Sequence, residues 1–342
     1  MKKLFDEIER YNDKTIIMCG TTMYHILLSI MIMNKCKCFD NSLLFLFSYR
    51  KSEINEFKRI EHKLSHHGVK IRVFNKKSKI YRLLKLTDIS MAKEYKSISR
   101  EYGINNGDFL LINFAWSFKR IQYPASILFD KCRSAIFVQD GATQYLYPRE
   151  SRLFLLFKKI YDCNKEFWTN EKLKWIYAEH PDKYPVYLQC KMRHLQVSEL
   201  NDNIYDVLKD VFDIEETSLN YMKKADGIIF TQPLSEDRLV SEKEKLMLYD
   251  SISKFYSKYG SVCLKVHPRD CTEYECLGIP IIYDKVPSEI VSLLGIHFHF
   301  AIGIFTSAVD TANADIKVNL EERFPECKRV QLIPLEDIMM NK

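Results

Sequence analysis

Short apolar runs of strand length alternate with helical patterns along most of this chain, and that alternation narrows its fold more than any other feature. Apolar strands separated by helices predict α/β units built on parallel sheets. Thr15–Cys19 reads as a buried strand, and Thr21-Thr22 behind it can cap a helix whose Tyr24, Leu27, Leu28, Met31 and Ile32 recur at helical spacing. Leu43–Phe47, Val69–Phe74, Phe109–Asn113 and Ser134–Val138 give four further strands, completing one doubly wound domain. The apolar stretch Ile16–Met33 is interrupted by Gly20, two threonines, Tyr24 and His25, so it falls short of the ~20 clean residues of a membrane span.

From about Leu153 to Met222 the pattern turns to aromatics, charges and helix formers, with Val186–Leu188 as its one strand candidate. A second α/β series follows: strand 227–230, helix Glu242–Lys258, strand Ser261–Val266, strands Ile279–Tyr283 and Phe298–Ile304, and a helix Ala308–Ala314. The expected organisation is therefore an N-terminal Rossmann-like domain over residues 1–175, a helical connector over 176–222 and a C-terminal Rossmann-like domain over 223–342, with a cleft between the two halves. The 342 residues suffice for two cores, and 46% hydrophobic content excludes a disordered chain. Ten glycines include no G-x-G pair and no P-loop, which removes the dinucleotide fingerprint and the Walker motif. Ten cysteines contain no C-x-x-C, and the N-terminus does not read as a signal peptide; free thiols in a cytoplasmic protein are expected. A formal charge of +6 asks for an anionic partner.

In open α/β sheets ligands collect at the carboxyl ends of the strands, so polar residues directly after an apolar strand carry most weight. Leu264-Lys265-Val266-His267-Pro268-Arg269 ends a strand in a histidine between two cations; if the strand continues, Lys265 and His267 share a side and suit a phosphate. Phe137-Val138-Gln139-Asp140-Gly141 ends another in a carboxylate on a tight turn, able to take a proton from a hydroxyl. Thr306-Ser307 precede a helix, where hydroxyls and amides form a phosphate site. Glu289, opening another helix, can accept from a ribose hydroxyl. Each has a plain alternative: a turn, a cap or a strand-end residue. His180-Pro181 repeats the His-Pro pair among acidic neighbours with no strand before it, and marks how little that pair says alone.

Taken in order, Thr22-Met23-Tyr24, Asp140-Gly141, Phe230-Thr231-Gln232-Pro233-Leu234, His267-Pro268, Glu289 and Thr306-Ser307 resemble the bacterial sialyltransferases of GT-B type, most closely glycosyltransferase family 52, which includes lipooligosaccharide and capsule sialyltransferases. Gln139 stands where many relatives carry a second acid. The resemblance implies an inverting, metal-independent transfer of sialic acid from CMP-sialic acid to a hydroxyl of a bacterial surface glycan, with no further cofactor. His267 would act as general acid or phosphate stabiliser. Lys265, Pro268, Gln232, Thr306 and Ser307 would line the nucleotide phosphate, Glu289 the ribose, and either Asp140 or Asp237 would be the base. No Asp-x-Asp occurs, the usual carboxylate pair of metal-dependent glycosyltransferases. The implied partners are a CMP-sugar donor and a glycan or glycolipid acceptor, with room for peripheral contact with the inner face of the plasma membrane and for a homodimer. A capsule or teichoic-acid transferase using CMP-Kdo or CDP-glycerol is the alternative enzyme. A basic nucleic-acid-binding protein would explain the charge without catalysis, but no such motif appears and nucleic acid is not an expected partner.

Overall fold

The computed structural model describes residues 2–11, 13–48, 51–75, 88–114, 125–139, 168, 170–195, 197–200, 204–284, 286–306, 308–320 and 331–339; Asp140 and Ser307 lie outside the described residues. The chain forms two compact units, Met1–Ile204 and Tyr205–Lys342.

In the first unit, β1 (Thr15–Gly20), β2 (Ser42–Ser48), β3 (Lys70–Asn75), β4 (Phe109–Asn113), β5 (Ser134–Val138), β6 (Leu173–Ala178) and β7 (Met192–His194) form one sheet in the order β3-β2-β1-β4-β5-β6-β7. Every pairing is parallel. β1, β2, β4 and β5 are buried nearly end to end, as strands covered on both faces must be, which is why they read as continuous apolar runs. The helix Met23–Cys36 is buried without a break from His25 to Met33, and Thr22 caps it by accepting the His25 amide at 3.2 Å.

The stretch read as a connector contributes strands instead. β6 and β7 extend the first sheet, and Val186–Leu188 is a single 3₁₀ turn rather than a strand, with Val186 largely exposed. β6 is exposed at Lys174 and alternates charge with apolar residues at its start (Leu173, Lys174, Trp175), so it lacks the uniform run of β4 and β5. The helices Tyr205–Phe212 and Glu216–Lys224 open the second unit.

There, β8 (Gly227–Phe230), β9 (Val262–Lys265), β10 (Ile281–Ile282), β11 (Phe298–Gly303) and β12 (Ala314–Asn319) form a parallel sheet in the order β10-β9-β8-β11-β12. The expected helix 308–314 stops at Thr311, and β12 begins at Ala314. The helix Glu242–Tyr256 starts at a reciprocal cap: Ser241 accepts the Glu244 amide, and the Glu244 carboxylate accepts the Ser241 amide at 2.7 Å. Its inner face carries Lys245, Tyr249, Ile252 and Tyr256. Among the described residues no helix is long and apolar enough to cross a membrane.

Candidate functional site

Both sheets reverse their winding once, between β1 and β4 in the first unit and between β8 and β11 in the second, and such switch points are where α/β sheets hold ligands. In the second unit the register aligns Phe230 with Lys265 on one side and Gly303 on the other, while Ile282 aligns with Lys265. The residues that follow these strand ends therefore emerge along one edge: Thr231-Gln232, Val266-His267, Tyr283-Asp284 and Ile304-Phe305-Thr306.

That edge is held together by side chains. The Gln232 side-chain amide donates to the Phe305 carbonyl at 3.2 Å, spanning the switch point, and the Gln232 backbone amide donates to the Tyr249 hydroxyl at 2.7 Å. Phe305 takes a left-handed conformation, φ 48°. Gly303 admits the turn behind it, because a Cβ there would collide with Thr306 and Val309. Thr306 accepts the Ala308 amide at 3.2 Å, capping the short helix Ala308–Thr311.

His267 is fixed at two points. Its backbone amide donates to the Thr231 hydroxyl at 2.9 Å, and its Nδ1 accepts the Arg269 backbone amide at 3.0 Å. Burial, then the positive charges of Arg269 and Lys265, push the imidazole pKa down to about 4, against the opposing pull of Asp237. The Thr231 hydroxyl in turn donates to Asp270 at 2.8 Å. Asp270 also accepts Tyr274 Oη, the Thr272 amide and the Lys245 ammonium, the last at 2.6 Å. The Lys245 and Asp270 side chains are both 0% exposed, so a fully buried ion pair anchors the turn that carries His267. Lys245 also reaches Glu236, whose other oxygen accepts the Cys271 amide. Burial alone would raise the Glu236 carboxyl; the Cys271 amide and the Lys245 ammonium outweigh it and hold the pKa near 2.

Lys245, Asp270, Glu236 and Tyr249 were not among the sequence candidates, and Arg269 was noted only as a cation beside His267. One signal was present: Lys245 occupies a core position in the 245, 249, 252, 256 stripe, and a lysine there demands a buried partner. Two readings change. Lys265 ends its strand with its ammonium inside the protein, donating to the carbonyls of Val266 and Asp284, and burial lowers its pKa to about 8; it does not share an open face with His267. Asp237 pairs with Arg269 rather than Arg238, through two bonds of 3.0 and 3.1 Å. Glu289 opens the helix Glu289–Leu293 and lies within electrostatic reach of Lys265, which brings it to the same edge. Pro268 stiffens the turn between His267 and Arg269. Among the described residues, no three His, Cys, Asp or Glu side chains converge as metal ligands.

Comparison with known proteins finds a family profile that matches the stretch containing this edge. The profile of glycosyltransferase family 52 matches residues 201–318. An uncharacterized protein of Haemophilus influenzae is 27% identical over 190 residues, 54% of this chain, and the match spans 60% of that relative's length. A solved α/β-galactoside α-2,3-sialyltransferase from Photobacterium phosphoreum superposes with a TM-score of 0.56 at 12% identity, covering 90% of each chain, and so shares the fold. The chain thus has the tandem Rossmann-like architecture of the GT-B proteins, and its residues 201–318, the greater part of the second unit, match glycosyltransferase family 52.

Proposed function

We propose that the protein is an inverting, metal-independent sialyltransferase that moves sialic acid from CMP-sialic acid to a hydroxyl of a bacterial surface glycan. The observation that carries this reading is the anchored edge of the second sheet, where His267, Thr231, Gln232 and Thr306 gather at the switch point inside the stretch that matches family 52. The name of the Photobacterium structure and the resemblance of the motifs support the choice of donor.

In the transfer, the acceptor oxygen attacks the anomeric carbon while the bond from that carbon to the phosphate oxygen breaks. The electron pair of that bond stays on CMP, and the acceptor proton passes to a carboxylate. His267 stabilises the departing phosphate with Thr306 and Ser307, Lys265 adds its charge from beneath, and Glu289 holds the ribose. Asp140 is the first choice of base, since the Asp237 carboxylate is already occupied by Arg269. Metal independence is supported by the absence of an Asp-x-Asp pair.

A donor panel tests the reading: CMP release from CMP-sialic acid, with a galactoside acceptor and EDTA present, should exceed release from CMP-Kdo or CDP-glycerol. A preference for either of those donors would move the protein to a capsule or teichoic-acid type of transferase. Loss of activity in EDTA, restored by Mg²⁺ or Mn²⁺, would overturn the metal-independent chemistry.

A further inference from the structure

A histidine that assists a leaving phosphate can do so as an imidazolium that gives up a proton or as a neutral ring that donates a hydrogen bond, and the surroundings of His267 choose between them. The Arg269 backbone nitrogen has only a proton to offer, so Nδ1, 3.0 Å away, must present a lone pair. The ring proton is then on Nε2, which has no hydrogen-bond partner among the described residues. Protonating Nδ1 would set two N–H groups against each other and break the contact that orients the ring.

The charges around it point the same way. Arg269 on its own turn, Lys265 at the end of β9 and Lys245 on the helix Glu242–Tyr256 are cationic; Asp237, on the turn after β8, pulls the other way but is engaged by Arg269, and Asp270, on the same turn as His267, is engaged by Lys245. The leaving group makes an acid unnecessary. A phosphate monoester has its second pKa near 6, so CMP leaves as a dianion near neutral pH and needs its charge met rather than a proton supplied.

We propose that His267 acts as a neutral Nε2–H hydrogen-bond donor to the leaving phosphate, held in that tautomer by the Arg269 amide, and that Asp237 is a positioning residue acting on it through Arg269. This rests on the CMP-sugar reading for the identity of the phosphate, but not for the tautomer. No proton leaves His267 in the reaction: the C–O electron pair remains on the phosphate, and the acceptor proton goes to the carboxylate base.

Full-length protein labelled with ¹⁵N-histidine tests it, the His267 signals being those missing in His267→Gln, or in His267→Asn if the first variant does not fold. The expected result is one protonated nitrogen, Nε2, and one unprotonated, Nδ1, from about pH 5.5 to about pH 8. Both nitrogens protonated near pH 7, or the proton on Nδ1, overturns the proposal. Added CMP should shift Nε2 more than Nδ1; if the tautomer holds but CMP moves neither signal, the assignment of the phosphate fails and the tautomer stands. In the rate of CMP release, a required imidazolium would give a decline as pH rises through its pKa, and the neutral donor gives none in that range. Asp237→Asn should loosen the ring, mixing the two tautomers in the spectrum and lowering kcat about tenfold, with Asp237→Glu restoring both. A fall of about a hundredfold or more with an unchanged His267 spectrum would make Asp237 the base instead.

Discussion

The two units share one winding and one local device, and the described residues around it are an aromatic ring in one unit and charged groups in the other. Each has a histidine beside its switch point with Nδ1 accepting a backbone amide: His25 from Thr21 at 2.9 Å in the first unit, His267 from Arg269 at 3.0 Å in the second. Each also ends its switch-point strand in a glycine against which the next element presses. A Cβ on Gly20 would come within 2.7 Å of His25 Cβ, and one on Gly303 would collide with Thr306 and Val309. The surroundings then diverge. His25 is fully buried and stacks on Phe114 with ring centroids 5.7 Å apart, so its neighbours make it part of a core. His267 stands among Lys265, Arg269, Asp237 and Lys245. The same fold thus packs one histidine against an aromatic ring and sets the other among charges, and loop residues make the difference.

The units also differ in overall charge. Residues 1–204 hold 35 Lys and Arg against 22 Asp and Glu, whereas residues 205–342 hold 16 against 23. The modest +6 of the whole chain hides a strongly basic first unit and an acidic second one. Within the acidic second unit, Lys265, Arg269 and Lys245 nonetheless cluster around His267.

The sharpest way to break the comparison is to truncate both histidines. His267→Ala should lower transfer by about 10²- to 10³-fold, the usual cost of losing one hydrogen-bond donor to developing charge. His25→Ala should leave CMP affinity nearly unchanged while reducing stability by about 2–5 kcal/mol, as a core truncation does. Calorimetric titration of CMP with urea unfolding of both variants separates the outcomes. A large loss of CMP affinity in His25→Ala would show that the first switch point shares the nucleotide.

Next in size is the buried ion pair. Lys245→Met leaves Asp270 charged and without its ammonium in a dry site, which should cost about 3–5 kcal/mol. Urea unfolding followed by a probe in the second unit checks this. A loss under about 1 kcal/mol would mean that the Thr231, Tyr274 and Thr272 bonds suffice to hold Asp270.

Acid should also separate the units. His267 has its folded pKa lowered from 6.5 to about 4, so between those values the unfolded chain binds a proton that the folded one refuses, and stability falls as pH drops through that window. Glu236, lowered from 4.5 to about 2, adds a loss of the same sign as pH falls from 4.5 towards 2. For His267 the full effect is at most about 3 kcal/mol. All three tryptophans, at 116, 168 and 175, lie in the first unit, so their fluorescence follows that unit while amide exchange follows the second. Protection against exchange in the second unit, corrected for the pH dependence of intrinsic exchange, should fall first on acidification, and His267→Gln should delay that fall.

The sequence made the buried strands legible because parallel strands covered on both faces leave uninterrupted apolar runs; β1, β2, β4, β5 and β8 all show this. β6, β7 and β12 were missed because each has exposed positions and carries charges, as with Lys174, Arg193 and Lys317. At the edge of the second sheet, His267, Thr306 and Glu289 stood out since each follows a strand or opens a helix, and Gln232 through the family resemblance. The partners of those residues did not. Asp270 meets Lys245 across 25 positions and Thr231 across 39, and no local pattern encodes such a meeting.

The smallest effect expected concerns the caps. Thr22 begins the buried helix Met23–Cys36 of the first unit, and Ser241 begins the helix Glu242–Tyr256 of the second. Each threonine or serine oxygen satisfies one orphan amide, so Thr22→Ala and Ser241→Ala should each cost about 0.5–2 kcal/mol. The two should nevertheless differ in kind. The Ser241 bonds are exposed, and water can replace what is lost. The Thr22 hydroxyl meets the amide of a fully buried residue, His25, where replacement is harder, so its substitution belongs at the upper end of the range. Neither should alter CMP affinity if the nucleotide is held by the edge of the second sheet alone. Denaturant midpoints and CMP titration of the two variants provide the check. A Thr22→Ala protein that is stable but binds CMP several-fold more weakly would place the first unit's Thr22 turn in contact with the nucleotide.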